Sequence, residues 1–136
     1  MATLVFDQEY RIARDTPSDI NEHIEVLRTL SDSVDHVTEM GTRTGVSTRA
    51  FLSSDVTLRA YDLFLDARVQ ELFKHAKENG KDAEYIQGNV LELEIEETDM
   101  LFIDTWHCYD QLLAELTIHA PKVKKYIAFH DTQTYG

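Results

Sequence analysis

Residues 37–48 constrain this chain more than any other stretch. They read as a short buried strand, the acid Glu39, a tight turn framed by Gly41 and Gly45, and the start of a helix with Ser47 and Thr48. A strand that passes at once into a helix opens a parallel βα unit. Its turn brings backbone N–H groups and a helix N-terminus towards any ligand above the sheet. A second signal follows one strand later. Tyr61 and Asp62 close that strand, and a carboxylate in this place can accept both hydroxyls of a ribose. Strand, glycine turn, helix, strand and acid in this order point to an adenosine-type cofactor.

The rest of the chain alternates helical and strand patterns, which argues for a parallel sheet covered by helices. The opening, residues 4–10, is ambiguous. Ser18 reads as the N-cap of a helix that carries Ile20, Ile24, Leu27 and Ser31 at helical spacing. Core strands are expected at 36–41, 57–63, 83–87, 99–104 and 126–130, with a helix at 47–53. Asp66 should cap a further helix in which Val69, Leu72, Phe73 and Ala76 form one apolar stripe, and Asn79-Gly80 should stop it. Tyr109, Leu112, Leu113 and Leu116 mark a helix that ends before Pro121. The continuous apolar run from Met100 to Ile103 suits a strand buried on both faces. Ligands of such sheets bind beyond the carboxyl ends of the strands. Five polar landmarks fall there: Glu39 with Gly41, Asp62, Gly88 with Asn89, Asp104, and His130 with Asp131.

A chain of 136 residues has room for one domain, read here as an N-terminal helical segment (1–34) and a cofactor-binding core (35–136). The net charge of −12, from 13 basic and 25 acidic residues, repels nucleic acid and anionic membranes. Lys122, Lys124 and Lys125 form the one basic cluster, read as a solvated helix end facing the carbonyl end of the helix dipole. There is no apolar run long enough to span a bilayer and no basic-then-apolar leader. The single cysteine, Cys108, cannot form an intrachain disulfide. The expectation is a cytoplasmic protein without nucleic-acid or membrane partners.

The turn also bears on which cofactor is bound. A dinucleotide usually sits on Gly-x-Gly-x-x-Gly. The spacing here is looser, and Glu39 beside it would repel a diphosphate. S-adenosylmethionine has no phosphate and carries a positive sulfonium, which an acidic lip suits.

Glu39-x-Gly41 with Gly45 after a strand, Asp62 ending the next strand, and Phe102-Ile103-Asp104 ending the fourth resemble class I S-adenosylmethionine-dependent methyltransferases. Residues 16–23 and 129–132 are similar to a narrower group, methyltransferase-24-like or cephalosporin-hydroxylase-like. The resemblance implies a Rossmann-like α/β fold with strand order 3-2-1-4-5 and helices on both faces. The last two strands of a full class I methyltransferase have no counterpart before Gly136, so strand five is expected as an edge. That edge should pair with a second copy of the chain or be covered by the N-terminal segment. The resemblance further implies that Gly41 and Gly45 let the backbone approach the methionine part, with Thr42 and Arg43 beside them. Glu39 would orient the turn or the amino group. Asp62, next to Leu63, would bind the ribose, and Gly88, Asn89 and Val90 would border the adenine.

The run Asp104-Thr105-Trp106-His107 resembles the metal-dependent catechol-type O-methyltransferases. On that comparison Asp104 and Asp131, with Thr132 or water, would hold Mg²⁺. Trp106 would wall the acceptor pocket. His107, standing where those enzymes have a lysine base, or His130, would take the acceptor's proton. The implied activity is methyl transfer to an oxygen of a small molecule or sugar, with Asp104, His107 and His130 as catalytic residues. A rival reading is a non-catalytic module that binds S-adenosylmethionine or a partner protein on a truncated fold. A nicotinamide enzyme is disfavoured by the turn.

Overall fold

The computed structural model describes residues 2–16, 23–42, 45–104 and 109–129. Its elements in chain order are α1 (Ala2–Asp15), α2 (Ile24–Ser31), β1 (His36–Met40), α3 (Val46–Leu52), β2 (Thr57–Asp62), α4 (Ala67–Glu78), β3 (Ala83–Gln87), β4 (Thr98–Ile103), α5 (Tyr109–His119), a 3₁₀ turn (Ala120–Lys122) and β5 (Val123–Phe129). The five strands form one parallel sheet in the order β3-β2-β1-β4-β5. The expected strand order is therefore the observed one, and β3 and β5 are the edges among the described residues.

Period-two alternation divides the sheet into two faces. Val37, Leu58, Ala60, Met100 and Phe102 point to one face, where α1, α2, α3 and α4 cover them. Met40, Tyr61, Leu101 and Ile103 point to the other, against Val90, Ile95 and, from α5, Leu116. β4 is buried on both sides, which explains its unbroken apolar run. Phe51 of α3 meets Phe102 edge-on at 5.7 Å between ring centres.

The ambiguous opening is a helix. Phe6, Tyr10 and Ala13 repeat at helical spacing and are all buried, so α1 docks by one stripe. The Arg28 guanidinium lies 4.7 Å from the Tyr10 ring centre and pairs with Asp7 at 3.2 Å, which joins α1 to α2. Glu9 pairs with Arg49 at 3.0 Å, which joins α1 to α3. Ser18, the expected cap, and Ile20 lie outside the described residues. α2 starts after His23, whose side chain makes no capping bond.

α4 follows its sequence signals closely. The Asp66 carboxylate accepts N–H bonds from Arg68 and Val69, and Val69, Leu72, Phe73 and Ala76 are buried. α5 departs from its expected stripe. Leu113 is half exposed, while Glu115 and His119 are buried. His119 donates its Nε2 proton to the Val90 carbonyl at 2.6 Å, so a polar bond rather than an apolar pair sets that face. The lysine cluster also differs from its reading. Lys122, at the helix end, donates to the Ile95 carbonyl at 2.9 Å, whereas Lys124 and Lys125 lie on β5. The chain before β1 is fixed by Asp99, whose carboxylate accepts the N–H groups of Asp35 and His36 at 2.9 and 3.1 Å. Those bonds hold its carboxyl below the usual range.

Phe102→Ala removes a buried ring from the middle of the sheet and should lower stability by about 3–5 kcal/mol. Leu113→Ala should change it by no more than about 0.5 kcal/mol, since half of that side chain already meets water. Urea unfolding of the two variants checks the assignment of faces.

Candidate functional site

The sheet ladder continues beyond the strands at the end where the landmarks fall. The Gly41 N–H bonds the Tyr61 carbonyl at 2.8 Å, Gly88 bonds Asp62 at 2.9 Å, and Asp104 bonds Met40 at 2.7 Å. Glu39 pairs in register with Ala60 and Phe102, so Gly41, Asp62, Gly88 and Asp104 form one rim. Residues scattered over half of the sequence are thus side by side because the strands are parallel and in register.

Two glycines shape the rim. Gly41 and Gly45 both have φ of +86°, where an L side chain is strained. At Gly45 a Cβ would also lie 3.2 Å from Val69 and 3.0 Å from the Arg49 guanidinium. The missing side chain there makes room for Val69 of α4 and for Arg49, which gives this glycine a packing reason of its own. Arg43 and Thr44, between them, lie outside the described residues.

Glu39 is fully buried on the face covered by α3. Its carboxyl is 2.5 Å from Ser47 Oγ and 2.8 Å from Thr48 Oγ1. It therefore holds the first turn of α3 onto β1. Burial pushes its pKa up to about 8, against the pull of the two hydroxyls, and the nearby charges of Asp104 and Asp62 add to the rise. The charge argument built on this residue changes accordingly. Near neutral pH Glu39 is an interior acid in its neutral form, not part of an acidic lip. Asp62 and Asp104 remain as the acids of the rim.

Asp62 is half buried and heavily engaged. Its Oδ2 accepts the Thr42 N–H at 3.0 Å and lies 3.1 Å from Thr42 Oγ1; its Oδ1 accepts the Leu63 N–H at 2.8 Å. Thr42 Oγ1 is also 3.1 Å from the Tyr85 hydroxyl, and that hydroxyl accepts the Asp66 N–H at 3.0 Å. The Tyr85 ring stacks on Phe73 at 5.1 Å and 16°. Tyr85 is missing from the sequence-based site. Alternation alone reveals it, because it sits two residues before the end of β3, on the same side of the sheet as Asp62.

Beyond β3, Asn89 Oδ1 accepts the Leu91 N–H at 2.9 Å, closing a local turn. A Cβ on Gly88 would press on Leu93 at 3.0 Å. Val90 is buried among Met40, Tyr61 and Ile103, so its side chain belongs to the core rather than to the crevice wall. Leu63 is exposed, with Phe64 beside it more so, at 78%. Asp104 is nearly fully buried. Thr105, Trp106, His107, Cys108, His130, Asp131 and Thr132 lie outside the described residues. Among the described residues there is no group of three or more metal-binding side chains that could hold an ion. Nor is any helix among them long and apolar enough to cross a membrane.

No protein-family model matches the sequence, and no curated protein does. Solved structures do match in fold. The chain is similar to the 1,6-didemethyltoxoflavin-N1-methyltransferase of Burkholderia thailandensis, solved with its substrate and S-adenosylhomocysteine. The TM-score is 0.65 at 19% identity, over 90% of this chain and 56% of that one. It is also similar to the phosphoethanolamine N-methyltransferase 1 of Haemonchus contortus, solved with phosphoethanolamine and S-adenosylhomocysteine. There the TM-score is 0.58 at 12% identity, over 98% of this chain and 33% of that one. A mitomycin 7-O-methyltransferase matches at 0.58 and 12% identity, over 80% and 36%. The fold is that of class I methyltransferases. The chain spans between a third and three fifths of the length of these three proteins.

The rim of Gly41, Asp62, Gly88 and Asp104 lies at the carboxyl end of the sheet, the end at which open parallel sheets bind their ligands. The described part of that rim is built around hydrogen bonds the chain makes to itself. Glu39 is the buried member of the set and gives it a pH signature. With its pKa raised from 4.5 to about 8, the folded chain keeps a proton that the unfolded chain has released. Its contribution to stability is therefore full below about pH 4.5 and is lost as pH rises towards 8. Glu39→Gln mimics the neutral acid and should remove this slope. Urea unfolding of wild type and E39Q from pH 5 to 8 should show wild type losing stability relative to the variant as pH rises; a gain would contradict the assignment.

Proposed function

We propose that the crevice binds S-adenosylmethionine and that the chain acts in methyl transfer to an oxygen of a small molecule or sugar. The observation that carries the cofactor reading is the Asp62 carboxylate. It stands at the end of β2, held by the Thr42 and Leu63 N–H groups, in line with Gly41 and Gly88 on the neighbouring strands. That donor set fits a ribose diol, since the carboxylate is fixed by short backbone bonds before any ligand arrives. Two proteins of similar fold were solved with bound S-adenosylhomocysteine, which supports the same reading. When bound, the sulfonium supplies an electrophilic methyl group for in-line displacement.

The chain's own residues would divide the work as follows. Gly41 and Thr42 would lie along the cofactor, with Asp62 on the ribose and Leu63 and Asn89 near the base. Asp104 would border the methyl-bearing end. His107 and His130 are proposed to take the acceptor's proton, because imidazole titrates near neutral pH. The preference for oxygen follows the likeness of residues 104–107 to the catechol-type enzymes. The proposed Mg²⁺ ligands are Asp104, Asp131 and Thr132. Of these, Asp104 is buried at the end of β4, and Asp131 and Thr132 lie outside the described residues. β5 is a sheet edge with Tyr126 and Ile127 exposed, which supports pairing with a second copy of the chain. The charge of −12 supports acceptors other than nucleic acid.

Calorimetric titration with S-adenosylhomocysteine, NAD and ATP tests the cofactor reading. Binding of the first alone is expected, and binding of NAD alone would overturn it. Asp62→Ala should weaken S-adenosylhomocysteine binding about tenfold or more, from the loss of charged hydrogen bonds to the ribose, with the thermal transition retained. Turnover of S-adenosylmethionine across hydroxylated acceptors then separates an enzyme from a binding module.

A further inference from the structure

The Thr42 hydroxyl has one hydrogen and two oxygens to give it to, Asp62 Oδ2 and the Tyr85 hydroxyl, each at 3.1 Å. Thr42 is 2% exposed, so its hydroxyl has no bulk water to turn to. The Tyr85 oxygen is pinned in place. It accepts the Asp66 N–H at the start of α4, and its ring is stacked on Phe73. Asp62, for its part, already accepts the Thr42 and Leu63 N–H groups before any ligand is considered. A carboxylate offers about four lone-pair directions, and a ribose diol asks for two of them. With the Thr42 hydroxyl also on Oδ2, the carboxylate is crowded.

We infer that Thr42 and Tyr85 form a hydroxyl relay that clears Asp62 for its ligand. In the free protein Thr42 donates to Asp62 Oδ2, and the Tyr85 oxygen stands at the same distance as a second acceptor. When a vicinal diol arrives, the Thr42 hydroxyl turns to the Tyr85 oxygen and leaves a lone pair of Oδ2 to the incoming hydroxyl. No bond to carbon changes and no proton leaves the network. Thr42 exchanges a bond to a carboxylate for a weaker one to a neutral hydroxyl, and the ribose hydroxyl takes over the bond to Asp62, which offsets the difference. Tyr85 is the acceptor of Thr42, so its own proton stays turned away from Thr42. The inference rests on the reading of Asp62 as the ribose acid. It adds that Tyr85 is a positioning residue which acts through Thr42 and never touches the ligand.

The relay predicts effects of different kinds for its two members. Tyr85→Phe removes the alternative acceptor. The Thr42 hydroxyl must then stay on Asp62 or be stranded in a buried place, and S-adenosylhomocysteine affinity should fall about fivefold or more. Thr42→Val keeps the backbone N–H and the shape but removes the competing hydroxyl, and its affinity is the baseline for the second half of the cycle. In the T42V/Y85F double variant the loss caused by Y85F should vanish, because nothing remains to be displaced. A merely structural role for Tyr85 would give the same loss in both backgrounds. Calorimetry with S-adenosylhomocysteine on the four proteins, each checked by thermal melting, reads the cycle. Rescue of Y85F by T42V supports the relay. An additive double variant, with Y85F costing the same in both backgrounds, overturns it while leaving the ribose assignment standing. A wild-type chain that binds no S-adenosylhomocysteine overturns the ribose assignment and the relay together.

Discussion

The buried contact between Glu39 and the first turn of α3 organises the ligand-facing end of this domain. β1 must deliver the chain into α3 within a few residues, and both turn glycines adopt positive φ to do so. Nothing in such a turn fixes where the helix lands. The Glu39 carboxyl does, by holding Ser47 and Thr48 from inside the core. A carboxylate with no partner would not be tolerated at full burial. Here burial favours the neutral acid, and two hydroxyls satisfy it. Gly45, just before that first turn, lies against Val69 of α4, where a Cβ would come within 3.2 Å.

From that anchor the rim is assembled by register rather than by loops. The ladder passes through Gly41, Gly88 and Asp104 without interruption, and each neighbouring strand end is thereby fixed relative to the next. The side chains placed on this frame are then held by local bonds: Asp62 by Thr42 and Leu63, Asn89 by Leu91, and the carbonyl of Val90 by His119. These groups are oriented before a ligand binds, so little side-chain entropy remains to be lost at that step. Rigid β ends bearing short, bonded polar side chains are a sound physical basis for a small-molecule site.

The faces of β4, the Asp66 cap and the stripe of α4 are legible because each rests on a local signal of fixed period or fixed offset, whereas the strand order followed from the resemblance to class I methyltransferases. What escaped depends on burial, which a single sequence does not display. The opening helix α1 looks polar on average and reveals itself only through Phe6, Tyr10 and Ala13. On α5, Leu113 reads as core yet is half exposed, while Glu115 is buried. Val90 reads as crevice lining and is core. Glu39 was found as a residue but misread as a charge, since its ionisation is set by α3 lying over it. Tyr85 was missed because its importance lies in its oxygen, which only tertiary packing brings to Thr42.

The electrostatic case for a sulfonium ligand now rests on fewer groups. With Glu39 neutral near pH 7, the turn itself repels a diphosphate less than its sequence suggests. The choice between cofactors shifts from charge to shape and to the donors present. Gly41 and Gly88 spend their N–H groups on the ladder, and Gly45 spends its own on the Thr42 carbonyl at 2.8 Å. A pyrophosphate cradle needs backbone N–H groups turned towards the ligand. Three of the rim's glycines have none to give, while the carboxylate of Asp62 is held ready for hydroxyl groups. Among the described residues these three glycine N–H groups are already spent within the chain, whereas the Asp62 carboxylate stands as an acceptor for hydroxyl groups.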